Sequence, residues 1–259
     1  MRAIAVIPAH DEASTIADVV RETLRYVDEV IVVDDGSSDA TAALAEDAGA
    51  SVSRLVPNRG KGGALSHGIG LALAKHPFAV VTLDADGEHD PSDIPRLLAA
   101  LERADVALGV RHVYRSGARR WMNELALFWF KLLSPAIEDT ICGLRAFRAD
   151  KLPLLENAYG GFVYEHEVLI RAVMANLELA AVPIRTAPIA TSHVTLREAL
   201  RANNHFDRRV LGALPSLPIP LWRRALLGAG CVAGLAVGLP AEALLARSGA
   251  ARGGARSRA

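Results

Sequence analysis

The chain has 259 residues, 51% of them hydrophobic, with 29 basic and 29 acidic side chains and a formal net charge of zero. That length suits one large domain, or one domain with an appendage, around a sizeable core, and zero net charge gives no bulk argument for a nucleic-acid partner. The two cysteines, Cys142 and Cys231, have no Cys or His at zinc-ligand spacing, which argues against a disulfide framework and fits a reducing cytosol.

Ala3 to Ile7 is a short apolar run closed by Pro8, a strand pattern rather than the long apolar stretch of a signal peptide. Ser14 or Thr15 is placed to cap a helix to about Tyr26, with Ile16, Val19, Val20 and Leu24 on one face. Val30 to Val33 is wholly apolar, as in a strand covered on both faces. The turn from Asp34 to Asp39 follows, with Asp39 suited to an N-cap and a helix from Thr41 to about Ala48. Ser51 to Val56 reads as a third strand, Asn58 to Gly63 as a glycine-rich loop, and Ala64 to about Lys75 as a helix. Val80 to Leu83 is the next strand, Pro91-Ser92-Asp93 opens a helix from Ile94 to Arg103, and Val106 to Val110 is another strand. This alternation is that of an α/β domain with a mostly parallel sheet flanked by helices. Its polar, glycine-rich and acidic loops follow the strands, where open sheets of this kind bind ligands.

Beyond Val110 the pattern changes. Residues 121–133 form a very apolar helical pattern, with Trp121, Leu125, Phe128, Trp129 and Leu132 at helical spacing. Phe162 to Ala175 is a further helix carrying Glu165, His166 and Glu167 near its start, and Ala180 to Ile184 a strand. Ala225 to Ala241 bears no charge and lies between Arg223-Arg224 and the pair Glu242 and Arg247. From Arg197 onward ten arginines face three acids, a net charge of +7 that leaves the rest of the chain at −7. An acidic body suits cations and a basic tail suits anions. The tail lacks the interleaved aromatics on which single strands stack, so no nucleic-acid partner is expected.

The most informative stretch is Val80 to His89, a strand delivering Asp84, Asp86 and Glu88 into one short turn. Three carboxylates so close repel one another unless a divalent cation joins them. Mg²⁺ or Mn²⁺ would take their oxygens and share its shell with substrate phosphates; the alternative is a solvated acidic turn. Asp35 after the second strand is placed either to accept from base or ribose groups or to serve the turn itself. The three glycines and two cations of Asn58–Gly63 suit phosphate at a helix N-terminus, or a simple connector. Asp139 and Arg145 are a candidate phosphate-recognition pair or a structural ion pair. Glu165 and Glu167 read as exposed helix-start acids complementing the dipole, with function the weaker alternative. Among the isolated histidines His10, His89 and His193, His89 is the best functional candidate because it extends the acidic turn, and Cys142 reads as a small buried hydrophobe.

Five motifs then occur in order: Ile7-Pro-Ala-His-Asp-Glu12, Val32-Val-Asp-Asp-Gly-Ser-Ser-Asp39, Asn58-Arg-Gly-Lys-Gly-Gly63, Leu83-Asp-Ala-Asp-Gly-Glu-His89 and Asp139-Thr-Ile-Cys-Gly-Leu-Arg145. Together they resemble family 2 glycosyltransferases of the GT-A fold, and within these the dolichyl- and polyprenyl-phosphate hexose synthases, over roughly residues 3–190. The resemblance implies an inverting transferase that moves a hexose from GDP-mannose or UDP-glucose to a polyprenyl phosphate. It implies a nucleotide-sugar site of Pro8, His10, Glu12, Val33, Asp35, Lys61, Asp84, Ala85, Asp86 and Arg111. It further implies Mg²⁺ or Mn²⁺ on Asp84, Asp86 and Glu88, with Asp86, Asp139 and Arg145 at the reaction and acceptor side. Where such relatives carry Arg and Lys after the last strand, this chain reads Ala190 to Arg197, with His193 or Arg197 as substitutes. A soluble or polysaccharide acceptor, and a nucleotide-sugar-binding protein without turnover, are the alternatives.

On this reading residues 1–200 form the catalytic domain and 201–259 a basic, apolar helical tail. Ala225 to Ala241 falls slightly short of a membrane span, with Pro240 and Glu242 as interruptions, and a single span would have to reach Ala246; an interfacial anchor or docked helix is the alternative. Gly230, Gly234 and Gly238 fall four apart, a helix-packing pattern that also suits a homo-oligomer. The helix near Trp121, preceded by Arg119 and Arg120, reads either as lying on a membrane or as covering the sheet. The expected location is the cytoplasmic face of a membrane, peripheral or singly anchored.

Overall fold

The computed structural model describes residues 1–111, 127–156, 162–186 and 196–256. Contacts divide the chain into two compact units, Met1–Ala190 and Thr191–Ala259.

The first unit is built on seven strands: β1 (Ala3–Ala9), β2 (Glu29–Asp34), β3 (Ser51–Arg54), β4 (Ala79–Thr82), β5 (Val106–Arg111), β6 (Arg145–Arg148) and β7 (Leu179–Ile184). Their order across the sheet is β3-β2-β1-β4-β6-β5-β7. All pairings are parallel except those of β6, which runs antiparallel between β4 and β5. The helices are α1 (Ile16–Thr23), α2 (Thr41–Asp47), α3 (Gly60–Leu73), α4 (Ile94–Ala100), a segment at 127–133 (α5), α6 (Leu152–Leu155) and α7 (Phe162–Met174).

β1 is buried along its whole length because both faces are covered. Ala3, Ala5, Ile7 and Ala9 pack with Ile16, Val19 and Val20 of α1 and Ile94 and Leu97 of α4. The opposite face meets α3 at Gly68, where an added Cβ would come within 2.5 Å of Val6 Cγ1 and 2.8 Å of Val33 Cγ2. That missing methyl sets the close approach of helix and sheet. Each fully buried Ile or Val stabilises this layered core by about 1.5–3 kcal/mol.

Several local expectations shift. Gly60 to Gly63 is the first turn of α3 rather than a loop. Thr15 precedes α1 but makes no side-chain capping bond. Ala40 rather than Asp39 is the N-cap of α2, and Asp39, one residue earlier, accepts the Thr41 N–H at 2.9 Å. Strand β6 lies inside a segment read only as a motif. Trp121, Leu125, Arg119, Arg120 and His193 lie outside the described residues.

The second unit is a helical hairpin of α8 (Leu196–Ala213) and α9 (Leu221–Arg256). Phe206, Val210, Leu227 and Cys231 are buried in it. A Cβ on Gly234 would overlap the Asp207 carboxylate, and one on Gly238 would overlap the Asn204 amide. The small-residue stripe expected to serve self-association thus receives α8 of the same chain. Arg224 donates to the carbonyls of Pro215, Leu217 and Ile219 and so closes the turn between the helices. Among the described residues no helix is long and apolar enough to cross a membrane, so the single-span reading of 225–246 gains no support.

Candidate active site

The strand order reverses between β1 and β4, the switch point at which open α/β sheets form a crevice. The loops after β1, β2 and β4 meet there. In the parallel register Pro8 stands opposite Val33 and Ala9 opposite Asp34. Asp34 is buried, taking Ser37 N–H at 3.0 Å on Oδ1 and Arg54 Nε at 2.8 Å on Oδ2. Asp35 takes the Arg59 N–H at 2.7 Å, tying the second loop to the start of α3. Its carbonyl lies 3.0 Å from His10 Nδ1, and Asn58 Nδ2 is 3.4 Å from the same nitrogen. The Glu12 N–H donates to Thr41 Oγ1 at 2.8 Å. His10, Glu12 and Asp35 therefore line one corner. Val33 differs from expectation: its side chain is wholly buried beneath α3, leaving only its backbone near this corner.

The acidic turn after β4 is not a ready three-carboxylate cage. Asp84 Oδ1 lies 2.7 Å from Lys61 Nζ, and Oδ2 lies 3.6 Å from His89 Nε2. Glu88 Oε1 lies 3.3 Å from Arg111 Nη1. Asp86 has no cation beside it among the described residues; its Oδ1 accepts the Glu88 N–H at 3.0 Å. Ala85 is buried and so belongs to the core. Gly87 has φ 75°, a left-handed conformation that lets the turn reverse between Asp86 and Glu88. No group of three His, Cys, Asp or Glu among the described residues is gathered as a metal set.

Both cations of this turn are shared with a second carboxylate. Lys61 Nζ also lies 2.7 Å from Glu165 Oε1 on α7. Arg111 makes a two-toothed pair with Asp139, Nε to Oδ2 at 2.7 Å and Nη2 to Oδ1 at 2.9 Å. Burial alone would lower the Lys61 amine, but Asp84 and Glu165 hold it well above its usual range. Burial would raise Asp84, but Lys61 and then His89 carry it far below the usual carboxylate range. Arg111 is likewise raised, against the effect of burial, by its bonds to Asp139. Asp139 also accepts the N–H groups of Ile141 and Cys142, each at 3.1 Å. Burial pushes the Cys142 thiol up to about 12, in keeping with an inert small hydrophobe.

Arg145 does not pair with Asp139 and does not face an open site. It is buried, and its guanidinium donates to the carbonyls of Cys142, Thr140 and Glu165. It braces the loop before β6 against α7. Glu165 and Glu167 are not exposed helix-start acids: both are buried, and Glu167 pairs with Arg171 at 2.8 Å. The burial of Glu165 was readable, since Val168, Leu169 and Ala172 continue an apolar stripe from it at helical spacing. A cavity of about 20 Å³, room for about one water, lies among Lys61, Asp84, Gly143, Arg145, Tyr164 and Glu165.

The profile of Glycosyl transferase family 2 matches residues 4–169. An undecaprenyl-phosphate mannosyltransferase of Micrococcus luteus is 30% identical over 71% of this chain and 83% of its own length. A polyprenol monophosphomannose synthase of Mycolicibacterium smegmatis is 29% identical over 71% of this chain and 76% of its own. Among solved structures, the Mycobacterium tuberculosis glucosyl-3-phosphoglycerate synthase, in complex with Mn²⁺, UDP-glucose and phosphoglyceric acid, superposes with a TM-score of 0.66 at 24% identity, covering 80% of this chain and 79% of that one. This likeness shows the GT-A-like fold. With the strand-end loops and the profile match in agreement, the chain belongs to glycosyltransferase family 2 and is a glycosyltransferase.

Proposed function

We propose that the protein transfers a hexose, with inversion, from a nucleotide-diphosphate sugar such as GDP-mannose or UDP-glucose to a polyprenyl phosphate. The carrying observation is the unequal state of the acidic turn. Asp84 and Glu88 are each paired with a cation of the protein, whereas Asp86 has none beside it among the described residues. A lone carboxylate with a second close by is the donor set that Mg²⁺ or Mn²⁺ takes when substrate phosphates complete the shell. Asp86 would hold the ion, with Glu88 joining if it releases Arg111. The ion supplies Lewis-acid stabilisation of the departing diphosphate.

The chain's own residues do the rest. His10, Glu12 and Asp35 bind the base and ribose at the β1–β2 corner. Arg111, aimed by Asp139, places fixed positive charge where the leaving group gathers negative charge. A phosphate oxygen of the acceptor forms the new bond to the anomeric carbon as the bond to the nucleoside diphosphate breaks on the opposite face. A lipid phosphate is already anionic at neutral pH, so this step needs no general base, and no His–carboxylate pair is required.

Two further features support a lipid acceptor. Both relatives named above act on polyprenyl phosphates by their names. The outward face of α9 exposes Leu221, Trp222, Leu226, Val232 and Leu239, with Ala225, Ala229, Ala233 and Ala236 between them. Such a face suits peripheral attachment at the cytoplasmic side of a membrane, with residues 1–200 as catalytic domain and 201–259 as tail. The same donor chemistry on a soluble or polysaccharide acceptor is the alternative, exemplified by the phosphoglycerate-glucosylating neighbour. Incubation with radiolabelled GDP-mannose or UDP-glucose, Mn²⁺ and undecaprenyl phosphate tests the reading. Label should enter the organic phase, and Asp86→Ala should abolish the transfer. Transfer only to water-soluble acceptors would sink the lipid assignment, and full activity of Asp86→Ala would sink the metal assignment.

A further inference from the structure

Glu165 is a buried carboxylate that donor binding does not call for. Its side chain is 4% exposed, on a helix face otherwise lined by Val168, Leu169 and Ala172. An ionised group there is costly unless paired. Its partner is Lys61, and among the described residues neither of its oxygens meets a hydrogen-bond partner beyond that ion pair. The ammonium it holds is the one that holds Asp84. Two more contacts lock the arrangement. Arg145 Nη1 donates to the Glu165 carbonyl at 3.2 Å, and Gly143 presses on the Asp84 carboxylate with no room for a side chain between them.

We infer that Glu165 is a positioning residue of the donor site: by sharing Lys61 with Asp84 it leaves the clamp one net negative charge beside the turn where Asp86 meets the divalent cation. The inference rests on the metal–donor reading above. Asp84, Lys61 and Glu165 together carry one net negative charge. Without the Glu165 charge the group is neutral, and a divalent ion at the adjacent turn loses one unit of attraction. Removing Lys61 as well restores the original sum.

The experiment compares full-length wild type, E165Q, the double variant K61M/E165Q and D86A. Free Mn²⁺ is measured by electron paramagnetic resonance, alongside donor KM, kcat and thermal unfolding. E165Q should weaken Mn²⁺ binding about tenfold and raise donor KM, as expected for one charge acting across a partly screened distance. The double variant should return to within about threefold of wild type, a non-additivity that only coupled residues show. An E165Q protein that is less stable but binds Mn²⁺ as wild type does overturns the inference, as does a double variant no better than E165Q. If E165Q does not fold, the double variant decides: Mn²⁺ affinity near wild type supports the inference, and a loss of about tenfold or more overturns it. D86A separates the two readings, because normal Mn²⁺ binding by D86A defeats the metal assignment itself whatever E165Q does.

Discussion

Replacing Gly143 by Ala should damage the donor site from behind. An added Cβ would lie 2.6 Å from Asp84 Cγ and 2.7 Å from Oδ1, well inside contact distance. The Gly143 backbone has little room to retreat, since its carbonyl accepts Thr82 Oγ1 at 2.9 Å and β6 begins two residues later. Asp84 must therefore swing away, and in doing so it leaves Lys61, 2.7 Å distant. Overpacking of this kind costs about 1–3 kcal/mol. For a unit of this size that is a fall in Tm of roughly 3–10 °C. Differential scanning fluorimetry would read the stability change, and donor KM should rise as the clamp opens. A second comparison isolates the cause: Asp84→Ala removes the group that is struck, so Gly143→Ala should cost markedly less in that background. A Gly143→Ala protein with unchanged Tm and donor KM would refute this account of the turn.

Three further outcomes follow from the geometry. Gly70 on α3 has nothing within 4 Å of a built Cβ, so Gly70→Ala should stabilise by about 0.5–1 kcal/mol in urea unfolding, the gain of replacing a helical Gly. Asp139→Asn halves the two-toothed pair with Arg111 and leaves a largely buried guanidinium undercompensated; a loss of about 3 kcal/mol in urea unfolding is expected, together with raised donor KM. Asp207, buried between α8 and α9, has its carboxyl pushed up to about 6 by burial, only partly offset by the Cys231 thiol. Its folded pKa is thus above the unfolded one, so the native state binds the proton more tightly and stability falls as pH rises from about 4 to about 6. Asp207→Asn should flatten that part of the pH–stability profile of the full chain and gain roughly 1–3 kcal/mol above pH 6; an unchanged profile would show that Asp207 is not desolvated.

How much of this was legible in the sequence depends on distance along the chain. The β1, β2 and β4 loops were readable because each is a buried apolar run ending in polar residues, and parallel topology gathers such ends at one edge. The acidic turn was readable because its three carboxylates are adjacent. Strand β6 was not: Arg145-Ala-Phe-Arg148 is too short for a clear alternation, and it becomes a strand only because β4 and β5 leave a gap that an antiparallel neighbour fills. Helix α8 was not delimited within the helical tail because Asn203, Asn204 and Asp207 are weak helix formers; it stands because α9 presents glycines that admit Asn204 and Asp207.

The partners of the acidic turn were the least legible part, and they change its meaning. The sequence places Asp84, Asp86 and Glu88 side by side as equals. The fold makes them unequal by delivering Lys61 from the start of α3, Arg111 from the end of β5, and a second carboxylate to each cation from Glu165 and Asp139. Both of those second carboxylates come from chain beyond β5, far from the turn in sequence. Local repulsion among three acids is thus relieved by two long-range clamps rather than by an ion alone. The charge left to attract a divalent cation is that of Asp86 together with the one net negative charge that each clamp retains. A substitution at Glu165 or Asp139 should therefore act on the turn as surely as one within it, although neither residue is its neighbour along the chain.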